Sequence, residues 1–193
     1  MKKLSTYLFL ILFSFSAPSF ADDIRDFQIE GMSIGDSALD YFTEEQIQKN
    51  KMDYYKDKTF TPVQNDYLPF FETYDAVDFD YKTGDNNYII HALNGIIIYE
   101  KNVEDCYKKQ DEIVLELSKV FKGNAEQSKK DIIKHPNDRS GKSKVTRVTF
   151  WFESGNYAGV HCYDYSKEHG SQDHLKVSFK TKEFNDFLGH AYK

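Results

Sequence analysis

Cysteine is scarce: the 193 residues hold two, Cys106 and Cys162. They form no C-x-x-C pair, which excludes a thioredoxin-like redox motif, and a zinc site built of cysteines is unsupported. Basic residues are outnumbered. Lys and Arg total 25 against 31 Asp and Glu, giving a formal net charge of −6, a sign that disfavours nucleic acid and anionic membrane as general partners. The apolar run Leu4 to Phe15 is too short for a transmembrane helix, which needs ~20 residues. No internal repeat is present. Strict strand–helix–strand alternation is also absent, which argues against a parallel doubly wound sheet.

What the N-terminus does hold is a secretory signal. Lys2 and Lys3 give a positive start, Leu4 to Phe15 the apolar stretch, and Ser19-Phe20-Ala21 small residues for cleavage. No cysteine follows the run, so a lipid-modified N-terminus is not expected. The reading is a signal peptide over 1–21, a single α+β domain over 22–193, and a periplasmic or secreted location. Cysteines in such an oxidising compartment are expected to pair.

The chain is organised around Asn102 to Gly123. Asn102 is a good N-cap, Glu104 and Asp105 suit the positive end of the helix dipole, and Gly123 supplies a left-handed stop. Val103, Cys106, Tyr107, Ile113, Val114, Leu117, Val120 and Phe121 recur at steps of three and four and make one face.

Ahead of it, Thr43 and Gln46 form a capping box, which predicts short helices over Ile34 to Phe42 and Glu44 to Asn50 with a bend between. An extended piece is expected around Lys58 to Val63. Tyr67, Phe70, Phe71 and Tyr74 then anchor a loop. Ala76 to Lys82 alternates as a half-buried strand, with Val77, Phe79 and Tyr81 to one side and Asp78, Asp80 and Lys82 to the other, solvated side. With Tyr88 to Tyr99, where Gly95 suggests a bulge, it forms an antiparallel hairpin across the Thr83–Asn87 turn. Asn124 to Lys144 is polar and reads as a mobile loop with a helical turn near Lys129 to Lys134; His135 sits there as a solvent-exposed residue. Val145 to Glu153, Tyr157 to Ser166 and Leu175 to Lys180 read as three strands, and Lys182 to Tyr192 as a closing helix. The fold class is α+β, an antiparallel sheet with a central helix packed on one face. The order of elements resembles two helix-plus-hairpin units in tandem.

Alternation divides the late strands into two faces. Val148, Phe150 and Phe152, then Ala158, Val160 and Cys162, then Leu175, Val177 and Phe179 form an inner face for the helix to cover. Cys106 lies at the edge of the helix's apolar stripe and Cys162 in that inner row, which predicts a Cys106–Cys162 disulfide. The opposite face carries Arg147, Thr149, Trp151, Tyr157, His161, Tyr163, Tyr165, His174 and Lys176. This concentration of rings and cations implies either a cover from the chain's own loops or a binding surface; Trp151, Tyr157, His161, Tyr163 and His174 are its candidate contact residues.

Gly35-Asp36-Ser37 resembles the N-terminal block of the GDSL (SGNH) esterases and lipases, with Asp40 three residues on. The resemblance implies Ser37 as nucleophile and an Asp-x-x-His near the C-terminus as its base. The nearest candidates are Asp186 with His190, spaced four apart instead of three, and Asp173 beside His174. Asn137-Asp138 lacks the preceding glycine of the family's later block, and Phe27 to Glu30 alternates where a buried strand should precede the serine. Gly31-Met32-Ser33 is similar to the helix entry of small outer-membrane assembly lipoproteins, without their lipidated cysteine. The pairing of IEGMSIGDSALDYF with the stretch from Glu104 to Ile113 looks like an uncharacterised group of exported bacterial proteins, a resemblance that implies no activity.

A metal site drawn from His161, His169 and His174 with Asp164, Glu168 or Asp173 matches no ligand spacing, so no metal and no cofactor is expected. The function that results is binding of a protein, peptide or small ligand, with the Ser37 hydrolase as the alternative.

Overall fold

The computed structural model describes residues 24–99 and 102–192, so residues 1–21, read from the sequence as a signal peptide, lie outside the described residues. Eight strands form one antiparallel sheet. β1 (Phe60–Asp66), β2 (Ala76–Lys82) and β3 (Ile90–Ile98) make one meander; β6 (Lys144–Phe152), β7 (Tyr157–Asp164) and β8 (His174–Lys180) make another. The two join where β3 pairs with β8, giving the order β1-β2-β3-β8-β7-β6. The tandem arrangement expected from the sequence is therefore two halves of one continuous sheet.

β4 (Ala125–Gln127) and β5 (Asp131–Lys134) both pair along the free edge of β6. This corrects the expectation of a loop with a helical turn over Asn124 to Lys144. The segment is polar because its side chains face water: Ile132 is 67 % exposed. Its backbone caps the β6 edge, which would otherwise present unpaired N–H and C=O groups.

The inner face carries the main core. α2 (Val103–Val120) lies over it, its Asn102 side chain accepting from the Glu104 N–H as an N-cap. Phe121, directly after the helix, is 1 % exposed and touches Phe27, Phe150 and Phe152 at ring-centroid distances of 4.8, 5.1 and 4.9 Å. Such edge-to-face contacts favour a single packing arrangement beyond what area burial provides. Over the first half of the sheet the cover comes from Ile24, Ile29, Met32, Phe42 and Ile47, all buried. The helix expected over Ile34 to Phe42 is only a 3-10 turn at Ala38–Asp40, whereas α1 (Glu44–Lys49) has the reciprocal Thr43–Gln46 capping box. The Cys106–Cys162 disulfide is formed, with Cα atoms 6.0 Å apart, and ties α2 to β7.

Not all helices are on one face. α3 (Lys182–Leu188) packs Phe184 and Phe187 against Phe60, Ala92 and Tyr55 in a second cluster. Phe60 and Ala92 lie on the outer side of their strands by register, in line with Lys82, Asp80 and Lys180. The outer face is thus covered at one end and open at the other. The register irregularity falls at Asp80/Tyr81, opposite His91, rather than at Gly95; Gly95 instead makes room for the Tyr74 ring, which a Cβ there would overlap.

Candidate interaction face

Cross-strand pairing sets the outer face in rows. One runs Asp80, Ala92, Lys180, Tyr157, Trp151 across β2, β3, β8, β7 and β6. The next runs Asp78, Asn94, Ser178, Gly159, Thr149, and the third Ala76, Ile96, Lys176, His161, Arg147. Residues in a row are direct neighbours on the sheet surface, so side chains distant in sequence meet here.

Along β7 the rings are in contact. Trp151, 43 % exposed, stands edge-on to Tyr157 at 5.1 Å. The Tyr157 hydroxyl lies 2.8 Å from His161 Nε2. Tyr163 stacks on His174 at 4.5 Å and on Tyr165 at 5.9 Å, and Tyr165 stacks on His169 at 4.6 Å. The five face residues named from the sequence are therefore brought together, and the run continues into the loop after β7. His135, expected in solvent, is half-buried against Tyr163, Tyr165 and His169.

Cations line the same run. Lys180 Nζ sits 4.9 Å from the Tyr157 ring centroid and Lys176 Nζ 5.8 Å from that of Tyr163, both within cation–π range. Arg147 makes a two-pronged pair with Asp131, both contacts at 2.9 Å. A depression of about 330 Å³ opens between the sheet and α3, lined in part by Lys129, Arg147, Thr149, Trp151, Tyr157 and Lys180.

These surroundings shift proton affinities. Burial, then Lys180, Lys176 and Arg147, push His161 down to about 3, so its ring is neutral at ordinary pH. Burial and, to a smaller degree, Lys176 and His135 hold His174 down at about 4. Burial and the neighbouring Lys176 bring Lys180 down to about 8. On the β2 side, burial pushes Asp78 up to about 6 and Asp80 up to about 7. Asp80 accepts from the Tyr55 hydroxyl at 3.0 Å, whereas Asp78 Oδ1 is buried with no hydrogen-bond partner.

Asp78, Asp80 and Lys180 were not picked out by sequence reasoning, which put the two aspartates on the solvated side of a half-buried strand. The available signal was the tyrosine-rich stretch before β1: Tyr54 and Tyr55 pack with Tyr192 over this end of the face.

The hydrolase residues are dispersed. Ser37 Oγ donates to the Asn87 carbonyl at 2.6 Å and accepts from the Leu39 N–H, capping the 3-10 turn. Asp36 accepts from the Ser33 N–H and the Tyr41 hydroxyl, and Gly35 takes a φ of 94°. His190 Nε2 lies 3.3 Å from Asp57, and Asp186 pairs with Lys182. Ala38, next to Ser37, packs in the main core, whereas Phe187, next to Asp186, packs in the outer cluster. No hydrogen bond among the described residues joins Ser37 to Asp186 or His190. No group of three or more His, Cys, Asp or Glu side chains among the described residues is arranged to hold a metal ion.

The class defined by these features is an α+β domain with an eight-stranded antiparallel sheet, disulfide-tied on one face and half open on the other. Compared with known proteins, the chain matches no family model, no curated protein and no solved structure.

Proposed function

We propose that this chain is an exported binding module that docks a partner protein on the open half of its outer sheet face. The observation that carries this reading is Trp151. Its indole is 43 % exposed on an outer strand face, at the head of a run of touching rings whose other members are more enclosed, Tyr157 being 5 % exposed. Tryptophan, tyrosine and arginine dominate the energetics of protein interfaces because they bury much area for few lost rotamers. The run from Tyr157 to Tyr165 spans roughly 26 Å at strand rise, longer than a small ligand and suited to a protein surface. Export is supported by the disulfide, which is favoured in an oxidising compartment. No helix among the described residues is long and apolar enough to cross a membrane.

The test compares variants. Trp151→Ala and Tyr163→Ala are expected to lose at least tenfold in affinity for a partner isolated on the parent chain, the size of effect a buried interface aromatic gives. Leu115→Ala, on an exposed position of α2 at 58 % exposure, should bind as the parent does. Equal loss in all three, or loss only in Leu115→Ala, would contradict the reading.

A further inference from the structure

β5 closes part of the β6 edge but leaves an edge of its own. Its one strand neighbour among the described residues is β6. The His135 N–H donates to the Ser143 carbonyl at 2.9 Å, and this fixes the alternation along the strand. His135, Ile133 and Asp131 turn their backbone groups toward β6, so Ile132 and Lys134 turn theirs away from it. Asp131, Ile132 and Lys134 are exposed. Ile132, at 67 %, is the most exposed large apolar side chain among the described residues. Outward N–H and C=O groups around an exposed apolar side chain form a template for one more strand.

The flanking side chains say what kind of strand. By alternation Lys130, Ile132 and Lys134 share one side of the sheet, the side on which Lys130 reaches Asp111 of α2 at 2.7 Å. Lys134 stands directly opposite Lys144 of β6, and like charges so placed repel. Asp164 faces Lys144 from β7, one strand further from Lys134. The edge is therefore apolar at its centre and basic at both ends, in a chain whose net charge is −6. A second copy of the chain is a poor occupant. Antiparallel self-pairing centred on Ile132 would set Lys130 of each copy opposite Lys134 of the other, again like against like.

We propose that the free edge of β5 accepts an extended strand from a partner protein, with an apolar residue opposite Ile132 and acidic residues opposite Lys130 and Lys134. Antiparallel pairing is the more stable arrangement and is the one expected. The main-chain bonds supply affinity, and the acidic–x–apolar–x–acidic pattern supplies selectivity. This edge is separate from the outer face, and the proposal does not depend on the docking reading above.

The experiment is amide hydrogen exchange by NMR on the whole chain, with three heptapeptides in large excess. They are acetyl-Ser-Glu-Thr-Val-Thr-Glu-Ser-amide, the same peptide N-methylated at its valine, and the same peptide with glutamine for both glutamates. The glutamate peptide should slow exchange at Ile132 and Lys134 and leave Ile133, already bonded to β6, as it was. N-methylation removes the donor aimed at the Ile132 carbonyl and should weaken binding about tenfold. Glutamine should weaken it about fivefold at low salt, the worth of two exposed ion pairs, and the difference should shrink as salt is added. Ile132→Pro deletes the outward N–H and leaves the β6 ladder its bonds. It should lose the peptide while the His135 N–H stays slow, which shows β5 still in place. Lys134→Glu keeps the backbone whole and should weaken the glutamate peptide about fivefold.

Three results would overturn the proposal. One is exchange at Ile132 and Lys134 that the glutamate peptide leaves unmoved. Another is equal binding of the N-methylated or the glutamine peptide, which would remove the strand pairing or the acidic pattern. The third is protection of these two amides that rises with protein concentration in the absence of peptide, which would make the edge an interface between two copies of the chain.

Discussion

Tyr157 lies across Gly159 to reach His161, with its hydroxyl 2.8 Å from Nε2, and a Cβ on Gly159 would overlap that hydroxyl. A glycine inside a central strand sacrifices packing and backbone entropy, so its presence calls for such a close approach. Gly159→Ala is expected to cost about 1–3 kcal/mol through overpacking. It should also displace the His161 ring signals, because the phenol must swing out. In a Tyr157→Ala background the same change should cost far less, since the clash is gone. Equal costs in both backgrounds, measured by denaturant unfolding, would show that the two residues are not coupled.

The disulfide joins the middle of the sheet to the first turns of α2 across 56 residues of chain. Chain-entropy arithmetic gives about 4 kcal/mol for a loop of that size. Cys106→Ser with Cys162→Ser should therefore lower the urea midpoint substantially, against a total stability of ~5–15 kcal/mol for a domain of ordinary size. A double variant as stable as the oxidised parent would contradict this.

The Asp80 carboxyl gives a pH signature. Burial pushes it up to about 7, opposed by the Tyr55 hydroxyl and reinforced by Asp78. In the unfolded chain it ionises near the usual ~3.9. Between these values the folded state holds the proton and the unfolded state does not, so this group's contribution to stability falls as pH rises through the window. Asp80→Asn keeps an acceptor for Tyr55 and removes the titration. The variant should gain on the parent between pH 4 and pH 8, by up to ~4 kcal/mol for a shift of this size. A parent-to-variant difference that is flat with pH would refute the assignment.

Ser37 acts as a cap. Ser37→Ala should cost about 1 kcal/mol, the usual value of a lost N-cap hydroxyl. A fluorophosphonate probe should leave the parent unlabelled. Stoichiometric labelling that disappears in Ser37→Ala would promote the hydrolase instead.

Strict alternation made β2, β6, β7 and β8 legible, because one face of each is buried and the period of two survives in the residues. The disulfide followed from the same logic: Cys106 and Cys162 were each assigned to an apolar row, and those rows had to meet. β4 and β5 carry no such mark. They are short edge strands stabilised by the backbone of β6, with Ile132 in water, so their sequence reads as loop. The ring run of Trp151, Tyr157, His161, Tyr163 and His174 was readable as a face, but not its extent. That depends on how far α3 and Tyr55 reach over Phe60 and Ala92, a tertiary contact that brings α3 onto strands far from it in sequence. The enclosure of Asp78 and Asp80 was hidden for the same reason. Charged residues alternating with Val77 and Phe79 read as solvated until the cover above them is known.

The most direct test of the account is site-specific photo-crosslinking on the intact protein. A benzophenone amino acid placed at Trp151 or Tyr163 reports the open face; placed at Leu115 or Ile132, both exposed, it reports the helix surface and the sheet edge. The account predicts one protein adduct of the same mass from positions 151 and 163, and none of that mass from 115 or 132. An adduct of that mass formed only from position 115 or 132, with positions 151 and 163 silent, would contradict docking on this face.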